Sequence, residues 1–107
     1  MIDDTAFQDL IKKIVELYSG EVTLVLFGSR ARGDHWPSSD YDIMVFLSEV
    51  NDPAREATRI LSLKRGTKLS LDVVVKEKGE LNDPITRKML KDRVVLFDGL
   101  RLFSGDV

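Results

Sequence analysis

Residues 28–46 read GSRARGDHWPSSDYDIMVF. The stretch follows one apolar run, Val22–Phe27, and ends in another, Tyr41–Leu47. Both runs are short and apolar nearly throughout, with β-branched and aromatic residues, which predicts strands buried on both faces. Between them, 28–39 is rich in Gly, Ser, Arg and Asp and holds Pro37, so it reads as a loop with a helical turn over 29–32. Side chains alternate faces along a strand, so Asp40 and Asp42 point the same way. Two carboxylates entering an apolar run on one face repel each other and lose hydration, and each costs several kcal/mol there if ionised and unpaired. A bound divalent cation removes that cost and inverts the local pKa logic.

Outward from this stretch, Phe7, Leu10, Ile11, Ile14, Val15 and Tyr18 recur at three- and four-residue steps. They predict an amphipathic helix over 5–18, stopped by Gly20. Downstream, Asn51 or Asp52 can cap a helix with Pro53 at its first position. Ala54, Ala57, Ile60 and Leu61 give that helix an apolar side, and Gly66 ends it. A third strand is predicted over 69–75, carrying Asp72 between Leu71 and Val73. Asp83 and Pro84 start another helix with Ile85, Met89 and Leu90 facing inward. Residues 94–97 form a fourth strand, and the rest is a tail. The segment 41–75 has the length of a strand–helix–strand crossover, so its two strands should be parallel. The expectation is one α+β domain over 1–107, a mixed sheet packed with helices.

Composition narrows the classes. The 107 residues include 16 Lys plus Arg and 18 Asp plus Glu, a net charge of −2. That balance argues against general nucleic-acid binding, which draws on an excess of positive charge. With no cysteine, disulfides, thiolate catalysis and zinc–thiolate sites are excluded. No apolar run approaches the roughly 20 residues that span a bilayer. The start, Met1-Ile2-Asp3-Asp4, lacks the basic and apolar parts of a signal peptide. A cytoplasmic protein with no membrane contact is expected.

If the first two strands are antiparallel, Gly28 and Asp40 meet at one edge. If the second and third are parallel neighbours, Asp42 and Asp72 lie side by side. Three acids then gather at one rim of the sheet. Such a cluster suits Mg2+, which takes oxygen ligands and is commonly held by carboxylates plus substrate phosphates. Two ions about 3.5–4 Å apart would clamp an in-line phosphoryl or nucleotidyl displacement. Gly28 lets the backbone approach a phosphate, and the following amides with the Ser29 hydroxyl can bind phosphate oxygens. Arg30 and Arg32 supply forked donors for the same groups.

These residues resemble the active-site motif of minimal nucleotidyltransferases of the DNA polymerase β superfamily. That motif is Gly-Ser, a spacer, Asp-x-Asp in a strand and a third acid one strand later. Here the parts are Gly28-Ser29, 30–39, Asp40-Tyr41-Asp42 and Asp72 in SLDVVV. The resemblance is close over 22–75 and implies a polymerase β palm-like fold. It implies Asp40, Asp42 and Asp72 as metal ligands and catalytic acids, with Asp72 also helping to deprotonate the attacking hydroxyl. Gly28 and Ser29 would hold the triphosphate, and Ser39 stands in the family's usual small polar place. Two Mg2+ ions are implied, Mn2+ being the open substitute, with ATP as substrate. Family members of this size are commonly paired with a helical HEPN protein as the antitoxin of a toxin–antitoxin system. The implied reaction is then AMP transfer to a tyrosine hydroxyl of that partner. Two alternatives stand beside it: an aminoglycoside-type nucleotidyltransferase completed by a second chain, a homo-oligomer mate included, and a non-catalytic antitoxin that acts by contact.

Each residue also has a plainer reading. Asp40 can be a turn residue and Asp42 a paired strand-end acid. Asp72 can pair with a lysine such as Lys68, and Ser29 can cap a turn. Arg30 and Arg32 can be solvated or paired with Asp34, and Ser39 can serve the turn. His35 reads as exposed, Trp36 as packed within its loop rather than stacked on a base or partner, and Tyr18 and Tyr41 as core. The run 64–68 reads as a solvated turn.

Overall fold

The computed structural model describes residues 5–103. The Met1–Asp4 start and the last four residues of the expected tail lie outside the described residues. Nine elements follow in chain order: α1 (Thr5–Leu17), β1 (Val22–Phe27), α2 (Ser29–Arg32), β2 (Tyr41–Leu47), α3 (Pro53–Ser62), β3 (Leu71–Glu77), a 3₁₀ turn (Lys78–Asn82), α4 (Pro84–Met89) and β4 (Val94–Asp98). The four strands form one mixed sheet in the order β3-β2-β1-β4. β1 pairs antiparallel with β2 and with β4, while β2 and β3 are parallel, as the crossover length requires. The fold is the mixed-sheet α+β arrangement expected. Among the described residues, no helix is long and apolar enough to cross a membrane.

Each face of the sheet has its own apolar layer. On one face, Phe7, Leu10 and Ile14 of α1 and Ile60 of α3 pack with Leu24, Leu26, Ile43, Val45 and Leu47. On the other, Val25, Met44 and Phe46 pack with Leu90 and Phe103. This two-sided burial is why β1 and β2 read as continuous apolar runs. The edge strands are wetter, and there the sequence boundaries shift.

β3 begins at Leu71 and not at 69, and it runs on through Lys76 and Glu77. Those two polar residues still pair with Phe46 and Leu47. A reading that tracks apolar residues stops before such an edge. α3 ends at Ser62, and the chain turns three more residues before Gly66 adopts φ 85°. Asp52 caps it, accepting from the Arg55 amide at 3.1 Å.

α4 is rotated from the expected phase. Asp83 caps it through the Thr86 amide, and Thr86 and Leu90 form the inward stripe. Ile85 is 70% exposed and Met89 36%. Residues 99–103 are no loose tail. Asp98 of β4 accepts from the Thr23 hydroxyl at 2.8 Å, the Leu102 amide at 2.8 Å and the Phe103 amide at 2.9 Å. These bonds fold the chain back so that Phe103 enters the second apolar layer.

Candidate active site

The strand registers decide which acids meet. Phe27 is the partner of Asp42 across β1–β2, and Asp42 is the partner of Asp72 across β2–β3. Register partners on adjacent strands project to the same face. Ile43 and Val73 pack into the α1 layer, whereas Met44 and Val74 belong to the opposite one. Asp42 and Asp72 therefore share the face that carries Phe103 and Leu90, at the sheet end those residues leave open. Before the strands begin, the Tyr41 amide donates to the Ser70 carbonyl at 2.8 Å. This sets Asp40 beside Ser70, whose hydroxyl donates to Asp40 Oδ1. Ser70 was not singled out from sequence. Its signal was the register itself, which places it opposite Asp40 once Tyr41 is opposite Leu71.

Gly28 closes the rim from the β1 side. Its φ of 75° and ψ of −155° favour glycine. A Cβ there would also run into the Asp42 carboxylate, lying 3.2 Å from Cγ. The one-turn helix α2 follows at once, with the Ala31 and Arg32 amides donating to the Gly28 carbonyl at 3.1 Å each. Ser29 thus sits one residue from the close approach of backbone to carboxylate.

The electrostatics of the rim are repulsive. The Asp42 carboxyl is held above the usual carboxylate range, by burial first and then by the charges of Asp72 and Asp40, with Arg32 partly offsetting them. Among the described residues no ion pair uses Asp40, Asp42 or Asp72, so the Asp72–Lys68 pair is absent. As the side chains stand, no group of three or more acids and imidazoles among the described residues is gathered closely enough to hold a metal ion. The donor chemistry nevertheless fits a hard divalent cation. All donors are oxygens, two of the acids are register partners, and Gly28 leaves open the space against Asp42 that a side chain would fill. Asp40 lies close to Asp42 in sequence but is held by the Ser70 hydroxyl.

The remaining candidates are placed as follows. Arg30 donates from Nε to the Ser39 carbonyl at 3.0 Å and from a terminal nitrogen to the Pro37 carbonyl at 3.1 Å. Its guanidinium lies 3.9 Å from the centre of the Tyr41 ring, which itself stacks on Phe7. Arg30 therefore braces the loop. Arg32 pairs with Asp34 at 3.1 Å in the open. Ser39 Oγ accepts from the Trp36 amide at 2.9 Å, so it organises the turn ahead of Asp40. His35 is exposed. Trp36 is 77% exposed, which overturns its expected packing within the loop: the Ser39 hydroxyl holds its backbone while the ring stands in solvent. Tyr41 is core, while Tyr18 is half-buried and donates to Glu56 at 2.8 Å. Beside Asp40, a cavity of ≈290 Å³ is lined by Arg30, Ser38, Ser39, Tyr41, Lys68 and Ser70 among others.

The family model described as polymerase beta, nucleotidyltransferase matches residues 9–100. No curated protein matches the chain. Among solved structures, a protein from Sulfolobus solfataricus assigned as a nucleotidyltransferase is 23% identical, with a TM-score of 0.63 over 84% of this chain and 75% of that one. A toxin–antitoxin structure with AMP-PNP is 18% identical, with a TM-score of 0.60 over 92% of this chain and 82% of that one.

Proposed function

Because the chain belongs to the polymerase β nucleotidyltransferase family, we propose that it transfers AMP from ATP to a hydroxyl on a partner protein. The acceptor we infer is a tyrosine of a helical HEPN toxin, for which this chain is the antitoxin. The observation that carries the reading is the register pairing of Asp42 with Asp72, closed by Gly28 at the rim. The toxin–antitoxin neighbour with AMP-PNP supports both the nucleotide and the partner.

Asp40, Asp42 and Asp72 would hold the divalent ions, Mg2+ in the first instance. Once bound, these supply positive charge that offsets the triphosphate and the repulsion among the three carboxylates. Gly28 and Ser29 bring backbone and hydroxyl donors to the phosphate oxygens. Arg30 is anchored to the loop and keeps Ser39 and Asp40 in place, and Arg32 is free to exchange its exposed partner Asp34 for a phosphate. In the reaction the acceptor oxygen bonds to the α-phosphorus, the bond to the β-phosphate oxygen breaks, and pyrophosphate leaves. The acceptor proton passes to the Asp72 carboxylate, which is exposed and can release it to water.

The test is to incubate the chain with a HEPN partner, ATP and Mg2+ and to weigh the partner. An AMP-sized mass increase on a tyrosine-containing peptide is expected. No increase at saturating nucleotide would remove this acceptor.

A further inference from the structure

The acid-bearing face of the sheet continues into a region that the chemistry above leaves unused. Residues 86–93 read TRKMLKDR, four cations against one anion in a chain of net charge −2. Arg87, Lys88 and Lys91 are exposed, and no ion pair among the described residues uses them. Apolar groups lie among them. Ile85 and Met89, one helical turn apart, are 70% and 36% exposed, and Val95 is 38% exposed. Val95 is the register partner of Val25, which shares its apolar cluster with Leu90, the residue after Met89. Arg87 and Arg93 also line a cavity of ≈290 Å³ floored by Leu90 and Phe103. Arg93 is set there by a 3.3 Å bond to the Leu90 carbonyl and by the Phe103 ring, 4.9 Å away.

This surface lies at the catalytic end of the sheet. Val94 pairs with Leu26, one residue from the row that holds Phe27, Asp42 and Asp72. With strands about 4.8 Å apart, the start of β4 is about 10 Å from β2. A protein docked on β4 therefore lies about two strand spacings from Asp42.

We propose that α4 and the start of β4 dock an acidic, apolar-striped helical segment of a partner protein. Carboxylates would meet Arg87, Lys88 and Lys91, and apolar side chains would cover Ile85, Met89 and Val95. The docked segment presents the acceptor hydroxyl, and that last clause alone rests on the transfer reading above. Charge decides the occupant. A second copy related by a two-fold axis would set these cations against themselves. Single-stranded RNA uses exposed aromatic platforms for stacking, and here the exposed apolar groups are aliphatic.

The probes are a synthetic amphipathic peptide with a leucine stripe flanked by glutamates, the same peptide with lysines in their place, and a uridine oligonucleotide. Each is titrated into the full chain by fluorescence anisotropy. The glutamate peptide should bind at least about tenfold more tightly than the lysine peptide, and more weakly as salt is added. Arg87→Glu, Lys88→Glu and Lys91→Glu together should cut that affinity roughly tenfold or more with the melting temperature unchanged. Ile85→Ser, at a solvent-facing position, should weaken it independently. Equal binding of the two peptides, absence of binding, preference for the oligonucleotide, or a dimer that the triple variant dissociates would each overturn the proposal. A chain that binds the glutamate peptide yet transfers no AMP to the HEPN partner keeps the docking and loses the transfer reading. A chain that transfers AMP and ignores the peptide does the reverse.

Discussion

Asp42 and Asp98 sit at opposite ends of β1, on the two strands that flank it, Asp42 across from Phe27 and Asp98 across from Thr23. Both are partly buried carboxylates. Burial raises Asp98 too, but hydrogen bonds from the Phe103 amide, the Thr23 hydroxyl and the Leu102 and Arg101 amides outweigh it, and its carboxyl lies below the usual range. Asp42 has burial and two neighbouring acids against it and lies above that range. One end of the sheet uses an acid as a structural knot. The other sets Asp42 beside Asp72 with no ion pair to either among the described residues, a repulsion that a bound cation would relieve.

Removing the charge from each end should break this contrast most sharply. Asp42→Asn should lower AMP transfer on the order of 10³-fold or more, read as kcat/KM, while raising the melting temperature of the ligand-free protein at neutral pH. A variant both inactive and less stable would mean that Asp42 is structural as well. Gly28→Ala comes next. Its methyl would need both a left-handed backbone and the space of the Asp42 carboxylate. Transfer should fall on the order of 10²-fold with the fold retained in circular dichroism.

At the opposite corner, Asp98→Ala orphans the Thr23 hydroxyl and two amides. It should cost about 2–3 kcal/mol, a melting temperature lower by roughly 10 °C or more, with kcat/KM at 20 °C or so little changed. Smallest and most diagnostic is the pH dependence. The depressed Asp98 contributes stability above its unfolded value of about 3.9, and this is lost as pH falls through the folded value. The raised Asp42 works the other way: its protonated form favours the fold below about pH 3.9, and that contribution is lost as pH rises through its folded value. Melting curves between pH 2 and 7 should therefore lose their acid-side decline in Asp98→Asn and their decline toward neutrality in Asp42→Asn. The same profile in both variants would erase the contrast.

The interior was legible in the sequence and the edges were not. β1 and β2 are covered on both sides, so nearly every residue registers as apolar and their bounds are unambiguous. The parallel pairing followed from the length of the crossover, and it places Asp42 beside Asp72. Where solvent touches one side, the pattern loses authority. Lys76 and Glu77 pair in β3 although they look like loop, and Thr86 goes inward where Ile85 and Met89 looked better suited, because the Asp83 cap sets the phase of α4. The corner around Asp98 depends on contacts with Thr23, 75 positions away, which no local pattern carries. Ser70 escaped notice for the same reason.

Parallel pairing of β2 with β3 also acts as a gauge. Loops tolerate added length cheaply, so the path from Ser48 to Ser70 can lengthen or shorten around α3 without disturbing the rim. The offset between Tyr41 and Leu71 has no such latitude. Sliding β3 by a single position would swing Asp72 into the layer beneath α1 and bring Leu71 or Val73 to stand next to Asp42. Insertions in this chain should therefore be judged by whether they keep that alignment, far more than by how close they fall to the acids.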